Sequence, residues 1–227
     1  MNDQQRRIRS KWKKSNIRVT RKLRDILHGY IMSDGFVKSS GGLTVEQTSK
    51  QRKFVEWLYF QLAILRTDTP IREVQRIHPR TGKQSRSLRF QTRNLLRGFH
   101  AMWYCPKVHE NKLRYTKRLP KNLKCVFNAT FVTVWFAGDG TRTVGHRGAK
   151  FEVTSCTPEE RQILKTLFKQ KLNIEVRILR AGKTRTGNPQ WTLCVPAAEY
   201  EKFRKLITQM DLIPNIFPHK LCKKLDA

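Results

Sequence analysis

The chain has 227 residues, with 47 lysines and arginines against 17 acids and a net charge of +30. Self-repulsion on that scale destabilises a compact state unless a polyanion offsets it, and the basic residues are spread along the chain, which favours a broad nucleic-acid surface over a neutral domain with a basic arm. With 38% hydrophobic residues, 12 Phe and 5 Trp, the chain is no disordered polycation.

No stretch approaches the ~20 apolar residues of a membrane span, so no membrane partner is expected. The five cysteines (Cys105, Cys125, Cys156, Cys194, Cys222) form no CxxC pair and no zinc module. They read as packing residues of a reducing compartment. The six histidines show no metal-binding spacing, and His28 reads as packing.

Residues 1–19 are a basic lead-in. Their composition would also suit a transit sequence, but Asp3 and the direct passage into a core helix favour the lead-in. Residues 20–33 read as a helix, with Leu23, Ile26, Leu27, Tyr30 and Ile31 at three- and four-residue steps. Asp34-Gly35 stops it, the glycine supplying a left-handed residue. A hairpin follows across 36–48, with its turn at 39–42. Residues 49–65 read as a helix, 71–78 and 87–92 as strands around the basic loop 79–86, and 95–104 as a helix.

The second half repeats the order. Residues 128–138 are helical with Asn128 as N-cap. Residues 141–144 and 150–154 form a hairpin. Thr157-Pro158-Glu159-Glu160 is a capping box opening a helix that runs to about residue 172. Residues 175–180 and 190–195 are strands around the loop 181–189, and 197–210 is a helix. Helix, hairpin, helix, hairpin, helix thus occurs twice. That internal repeat organises the chain into a first half at 20–111, a connector at 112–122, and a second half with a basic tail at 123–227.

Each half begins with an apolar run closed by an acid, Leu27-His28-Gly29-Tyr30-Ile31-Met32-Ser33-Asp34-Gly35 and Val132-Thr133-Val134-Trp135-Phe136-Ala137-Gly138-Asp139-Gly140. The pair resembles the doubled signature of the LAGLIDADG homing endonucleases, in their single-chain branch. His28, Tyr30, Met32, Ser33, Trp135 and Phe136 depart from its common letters. Residues 117–123 and the tail 212–221 resemble further elements of that branch. The resemblance runs from about residue 20 to 222.

It implies an α+β fold of two pseudo-symmetric αββαββα halves, with antiparallel sheets forming a saddle for DNA and the motif helices at the central interface. Gly29, Ser33, Ala137 and Gly138 would let those helices approach closely. The approach would bring Asp34 and Asp139 together, and two carboxylates held close raise one pKa unless a cation lies between them. The implied metal set is Asp34 and Asp139 with the backbone of Ser33 and Gly138, taking Mg²⁺ or Mn²⁺. Catalysis would fall to Asp34, Asp139, Lys117, Lys220 and Gln47, the lysines stabilising phosphate charge and Gln47 organising water. Its counterpart in the second half lies between Glu152 and Thr154.

The hairpins would read the major groove, since a two-stranded ribbon fits it. Lys38, Arg76, Arg80, Lys83, Arg86, Arg142, Arg147, Arg177, Arg180, Lys183 and Arg185 are the candidates for DNA contact. The implied function is an intron-encoded, site-specific endonuclease cutting double-stranded DNA as a monomer. An organelle, mitochondrion or chloroplast, is the favoured setting over a bacterial or archaeal cytoplasm. A maturase acting on intron RNA fits the charge equally but does not require both acids. A DNA-binding protein without activity would have lost one of them.

Overall fold

In the computed structural model, residues 17–222 are described apart from 78, 80, 111, 144, 146 and 185. Two compact units divide the chain, one built on Gly35–His100 with the described residues up to Arg24, the other on Asp25–Asp34 and Ala101 onward.

In the first unit a four-stranded antiparallel sheet has the order β1-β2-β4-β3. Its strands are β1 (Phe36–Val37), β2 (Leu43–Thr48), β3 (Arg72–Ile77) and β4 (Gln84–Gln91). Strand β2 shows why it forms. Leu43, Val45 and Gln47 are buried while Thr44, Glu46 and Thr48 are not, the period of two that a half-covered strand needs. The helix α2 (Arg52–Gln61) supplies Phe54, Val55 and Leu58 to the core of this unit. A short helix, α3 (Arg97–Trp103), leads out of it.

The second unit carries the same sheet order, β7-β8-β10-β9, made of β7 (Gly140–Arg142), β8 (Ala149–Glu152), β9 (Arg177–Lys183) and β10 (Pro189–Val195). The repeat read from the sequence is therefore a repeat of topology. Two helices run through this unit's core, α1 (Arg21–Met32), which enters it at Asp25, and α4 (Ala129–Asp139). Every residue from Phe131 to Ala137 is buried. Trp135 meets Phe151 at 4.3 Å between ring centroids, and Phe136 meets Phe203 at 5.1 Å. The bulky letters of the second motif thus fill an aromatic cluster. Asn128 caps α4 as expected, accepting from Phe131 N at 3.1 Å.

The capping box at Thr157–Glu160 opens α5 (Pro158–Leu172), and Asn173 in the left-handed conformation ends it. Helix α6 (Ala197–Ile207) and the short α7 (Leu212–Ile216) follow. No helix among the described residues is long and apolar enough to cross a membrane.

Two expectations change. Residues 104–117, read as a helix end and connector, form an antiparallel ribbon of β5 (Tyr104–His109) and β6 (Lys112–Lys117). Pro106 is accommodated because in a two-stranded ribbon each strand is an edge and a missing N–H is tolerated. Nor is Gly35 left-handed, the positive-φ glycines being 41, 82, 145, 182 and 187 among the described residues. The end of α1 is closed by a side chain instead.

Candidate active site

Helices α1 and α4 run side by side within the second unit, and glycine permits it. A Cβ on Gly29 would come 2.5 Å from the Phe131 carbonyl oxygen and 2.9 Å from Val134 Cβ. A Cβ on Gly138 would come 2.5 Å from Ser33 Oγ, 2.6 Å from Ser33 Cβ and 3.1 Å from Asp34 Oδ2. Real Cβ atoms do not approach this closely, so the crossing depends on both glycines. Since residue 29 meets residues 131 and 134 while residues 33 and 34 meet residue 138, the helices point the same way and their C-termini converge. Asp34 thus packs against the residue before Asp139.

Each converging end is closed by a lysine. Lys117, the last residue of β6, donates from Nζ to Ile31 O at 2.6 Å and Ser33 O at 2.9 Å. Lys220, at the end of a 3₁₀ turn (Pro218–Lys220), donates to Phe136 O at 3.0 Å, Ala137 O at 2.7 Å and Gly138 O at 3.2 Å. A cation at a helix C-terminus meets both the orphan carbonyls and the negative end of the dipole. The ribbon that sequence reasoning missed is what delivers Lys117, its base closed by Arg118 N bonding Trp103 O at 2.7 Å.

The two acids differ. Asp34 is exposed, two residues past the end of α1, and Asp139 is half-buried as the last residue of α4. Burial, with the charge of Asp34 adding to it, pushes the Asp139 carboxyl up to about 7 against the opposing pull of Lys117 and Lys220. Burial also pushes the Lys220 ammonium down to about 8 and lowers that of Lys117, with both aspartates opposing each shift.

A cavity of about 210 Å³ opens beside Lys117 and Asp139, lined also by Glu152, Cys156 and Glu160. Burial and Glu160 hold the Cys156 thiol up at about 11, so it stays protonated and unreactive at neutral pH. Glu152 faces this cavity, and its charge is among those that raise Asp139. Of Glu152 and Thr154, the two candidates for the counterpart of Gln47, only Glu152 lines it.

Residues outside the motifs hold the helices. Asp25, buried, accepts from Asn128 Nδ2 at 2.8 Å and so braces the cap of α4. His28 accepts at Nδ1 from Trp103 Nε1 at 2.9 Å and is packed, as read from sequence. Asp25 was missed because its partner lies 103 positions away. Its one signal is an acid on the apolar face of a helix.

Strand register sorts the expected DNA contacts. Gln47 pairs with Leu88 on the face that α2 covers, and it is 9% exposed. Arg86, opposite Gln75, shares that face near its open end, with Glu73 3.8 Å away. The uncovered face carries Lys38, Arg72, Arg76 and Arg89.

In the second sheet Arg177 stands opposite Cys194, on the uncovered face with Lys150, while Arg180 stands opposite Trp191 on the other. Three positions along a strand cannot share a face. Arg142 is exposed opposite Ala149, and Lys83 and Lys183 are exposed at hairpin ends. Arg147 is ion-paired with Glu201 on α6. Arg80 and Arg185 lie outside the described residues. Arg72, Arg89 and Lys150, absent from the expected set, are what alternation adds once the register is known.

Two like helices thus cross on glycine, each ending at an acid and closed by a lysine, on a doubled αββαββα scaffold. The chain belongs to the LAGLIDADG DNA endonuclease family, which it matches over residues 24–203. Among solved structures it is similar to the homing endonuclease I-WcaI bound to its DNA recognition sequence. That likeness has a TM-score of 0.74 at 17% identity, covering 95% of this chain and 92% of the other, and it shows the fold. A looser likeness, with a TM-score of 0.45 at 13% identity over 86% and 88% of the two chains, is to the N-terminal LAGLIDADG domain of DUF199/WhiA. Comparison with curated proteins gives no match.

Proposed function

We propose that the protein is a site-specific endonuclease that cuts double-stranded DNA with a divalent cation held by Asp34 and Asp139. The observation that carries this is the packing of Asp34 Oδ2 against Gly138, which sets the two acids side by side at converging helix ends. The donors fit a hard cation. Two carboxylates and the Ser33 and Gly138 carbonyls form an all-oxygen set suited to Mg²⁺ or Mn²⁺. Each carbonyl accepts one lysine proton and has a second lone pair. Burial and the charge of Asp34 raise the Asp139 carboxyl, and a bound cation would offset both effects. When bound, the ion would activate water and stabilise the leaving oxygen.

The chain's own groups do the rest. Lys117 and Lys220 are fixed by carbonyls, so their charge is in place before DNA arrives and needs no reorganisation as phosphate charge develops. Lys220, titrating near 8, and Asp139, near 7 while no cation is bound, are both able to exchange a proton close to neutrality. The uncovered sheet faces carry the arginines and lysines that would enter the major groove. In keeping with intron homing, the target would be long and unique.

Asp34→Asn and Asp139→Asn should each abolish cleavage in Mg²⁺ while target binding stays within a few-fold of wild type. Selection of cleaved sites from a randomised duplex library supplies the target. Cleavage by either variant at the wild-type rate would show that the paired carboxylates are not the centre.

A further inference from the structure

Across the uncovered face of the first sheet, Glu46 of β2 lies directly opposite Arg89 of β4, which in turn lies opposite Arg72 of β3. The carboxylate is fully engaged. Its Oε2 accepts from Arg89 Nε at 2.7 Å and Nη2 at 2.5 Å. Its Oε1 accepts from Ser87 Oγ at 2.6 Å and from Arg76 Nη1. The Arg76 guanidinium above all, then Ser87 and Arg89, holds the carboxyl down to about 2 against the effect of burial, so it is ionised at neutral pH.

We infer that Glu46 is a positioning residue for DNA recognition, one that locks Arg76 and Arg89 together as a preset pair of guanine readers. The inference rests on the proposed reading of this sheet as a major-groove surface. Three features support it. First, Glu46 has no lone pair to spare: four donors fill its two oxygens, so it is not itself an acceptor for cytosine N4. Second, the arginines keep donors for a base edge. Among the described residues no hydrogen bond engages Arg89 Nη1 or Arg76 Nη2, and the two side chains are 34% and 51% exposed. Third, a free arginine must give up side-chain entropy to grip a guanine, whereas one already held has given it up on folding.

Among the described residues the second sheet lacks the device. Glu152 follows the inward Phe151 as Glu46 follows the inward Val45, but Thr192 stands opposite it where Arg89 stands opposite Glu46. Base discrimination should therefore be sharper where the first sheet docks.

The test is base preference, read from the full chain by selection on randomised duplexes for wild type, Glu46→Gln, Arg89→Lys and Arg76→Ala. Wild type should demand guanines within one short window, Arg89→Lys and Arg76→Ala should each erase part of that demand, and Glu46→Gln should relax the same positions on the order of tenfold while preferences elsewhere persist. Melting curves accompany each variant, and Arg89→Lys, which keeps the charge and removes the fork, covers the case in which Glu46→Gln folds poorly.

An unchanged Glu46→Gln profile, or one that loosens all positions alike, would overturn the inference. So would the loss of a cytosine that neither arginine variant affects, since Glu46 would then read a base directly. If wild type selects no sequence at all, the site-specific reading falls, and this inference with it.

Discussion

A carboxyl whose pKa is raised to about 7 in the folded chain weakens the fold as it ionises. Asp139 ionises near 3.8 once unfolded. Between 3.8 and 7 the unfolded state therefore holds fewer protons than the folded one, and stability falls as pH rises through that window. Asparagine cannot ionise and keeps the shape of the neutral carboxyl. Asp139→Asn should thus melt close to wild type at pH 4 and above it at pH 8 without divalent cation. About 1–3 kcal/mol is expected, allowing for the solvent this half-buried group still meets. Mg²⁺ should raise the wild-type melting temperature and leave the variant nearly unmoved. Thermal melts from pH 4 to 8.5, with and without the ion, check all of this, and equal melting at pH 8 would contradict it. Asp34 and Asp139 were legible because each closes a recognisable run. Asp25 and Glu46 were not, because what they do is set by Asn128 and Arg89, partners brought close only by the fold.

Between the elements, the contact of α1 and α4 is made at glycines, whose bare backbone lets the facing helix come close. Gly29→Ala places a methyl against the Phe131 carbonyl, a backbone atom that cannot swing aside. Separation of the helices should cost about 1–3 kcal/mol and reduce cleavage, since it moves the acids apart. Gly98→Ala is the matched control. It lies in α3 with nothing within 4 Å of a new Cβ, so it should stabilise by about 0.5–1 kcal/mol. Comparing the two by denaturant melts and single-turnover cleavage separates helix propensity from the crossing. Apolar periodicity made the helices legible, and small residues in both motifs announced their approach. The lysine caps were half legible. Lys117 and Lys220 stood out by resemblance, but their hold on the helix ends needs β6 and the 3₁₀ turn. Those are short elements whose placement depends on distant packing, and for that reason the Asp34-Gly35 stop was misread as a glycine cap.

For the molecule, the charge of +30 demands a polyanion, and the strand registers say which cations face it. Each phosphate neutralised releases counterions, and log affinity should fall against log salt with a slope of about 0.9 per contact. Six or more contacts would lower affinity at least roughly a thousandfold between 50 and 200 mM salt. The sheets sharpen this beyond a total. Lys150 and Arg177 share the uncovered face of the second sheet, so replacing either with alanine should lower the slope by about one if it touches phosphate. Arg147, equally basic in sequence, is ion-paired with Glu201 of α6, and its alanine variant should leave the slope unchanged. Composition made the charge legible but not its direction, because a cation's face depends on strand parity and parity on register. Salt titrations of binding for wild type and these three variants would read that direction out. Equal slope losses for Arg147 and Arg177 would mean that the DNA meets the helices as well as the sheet.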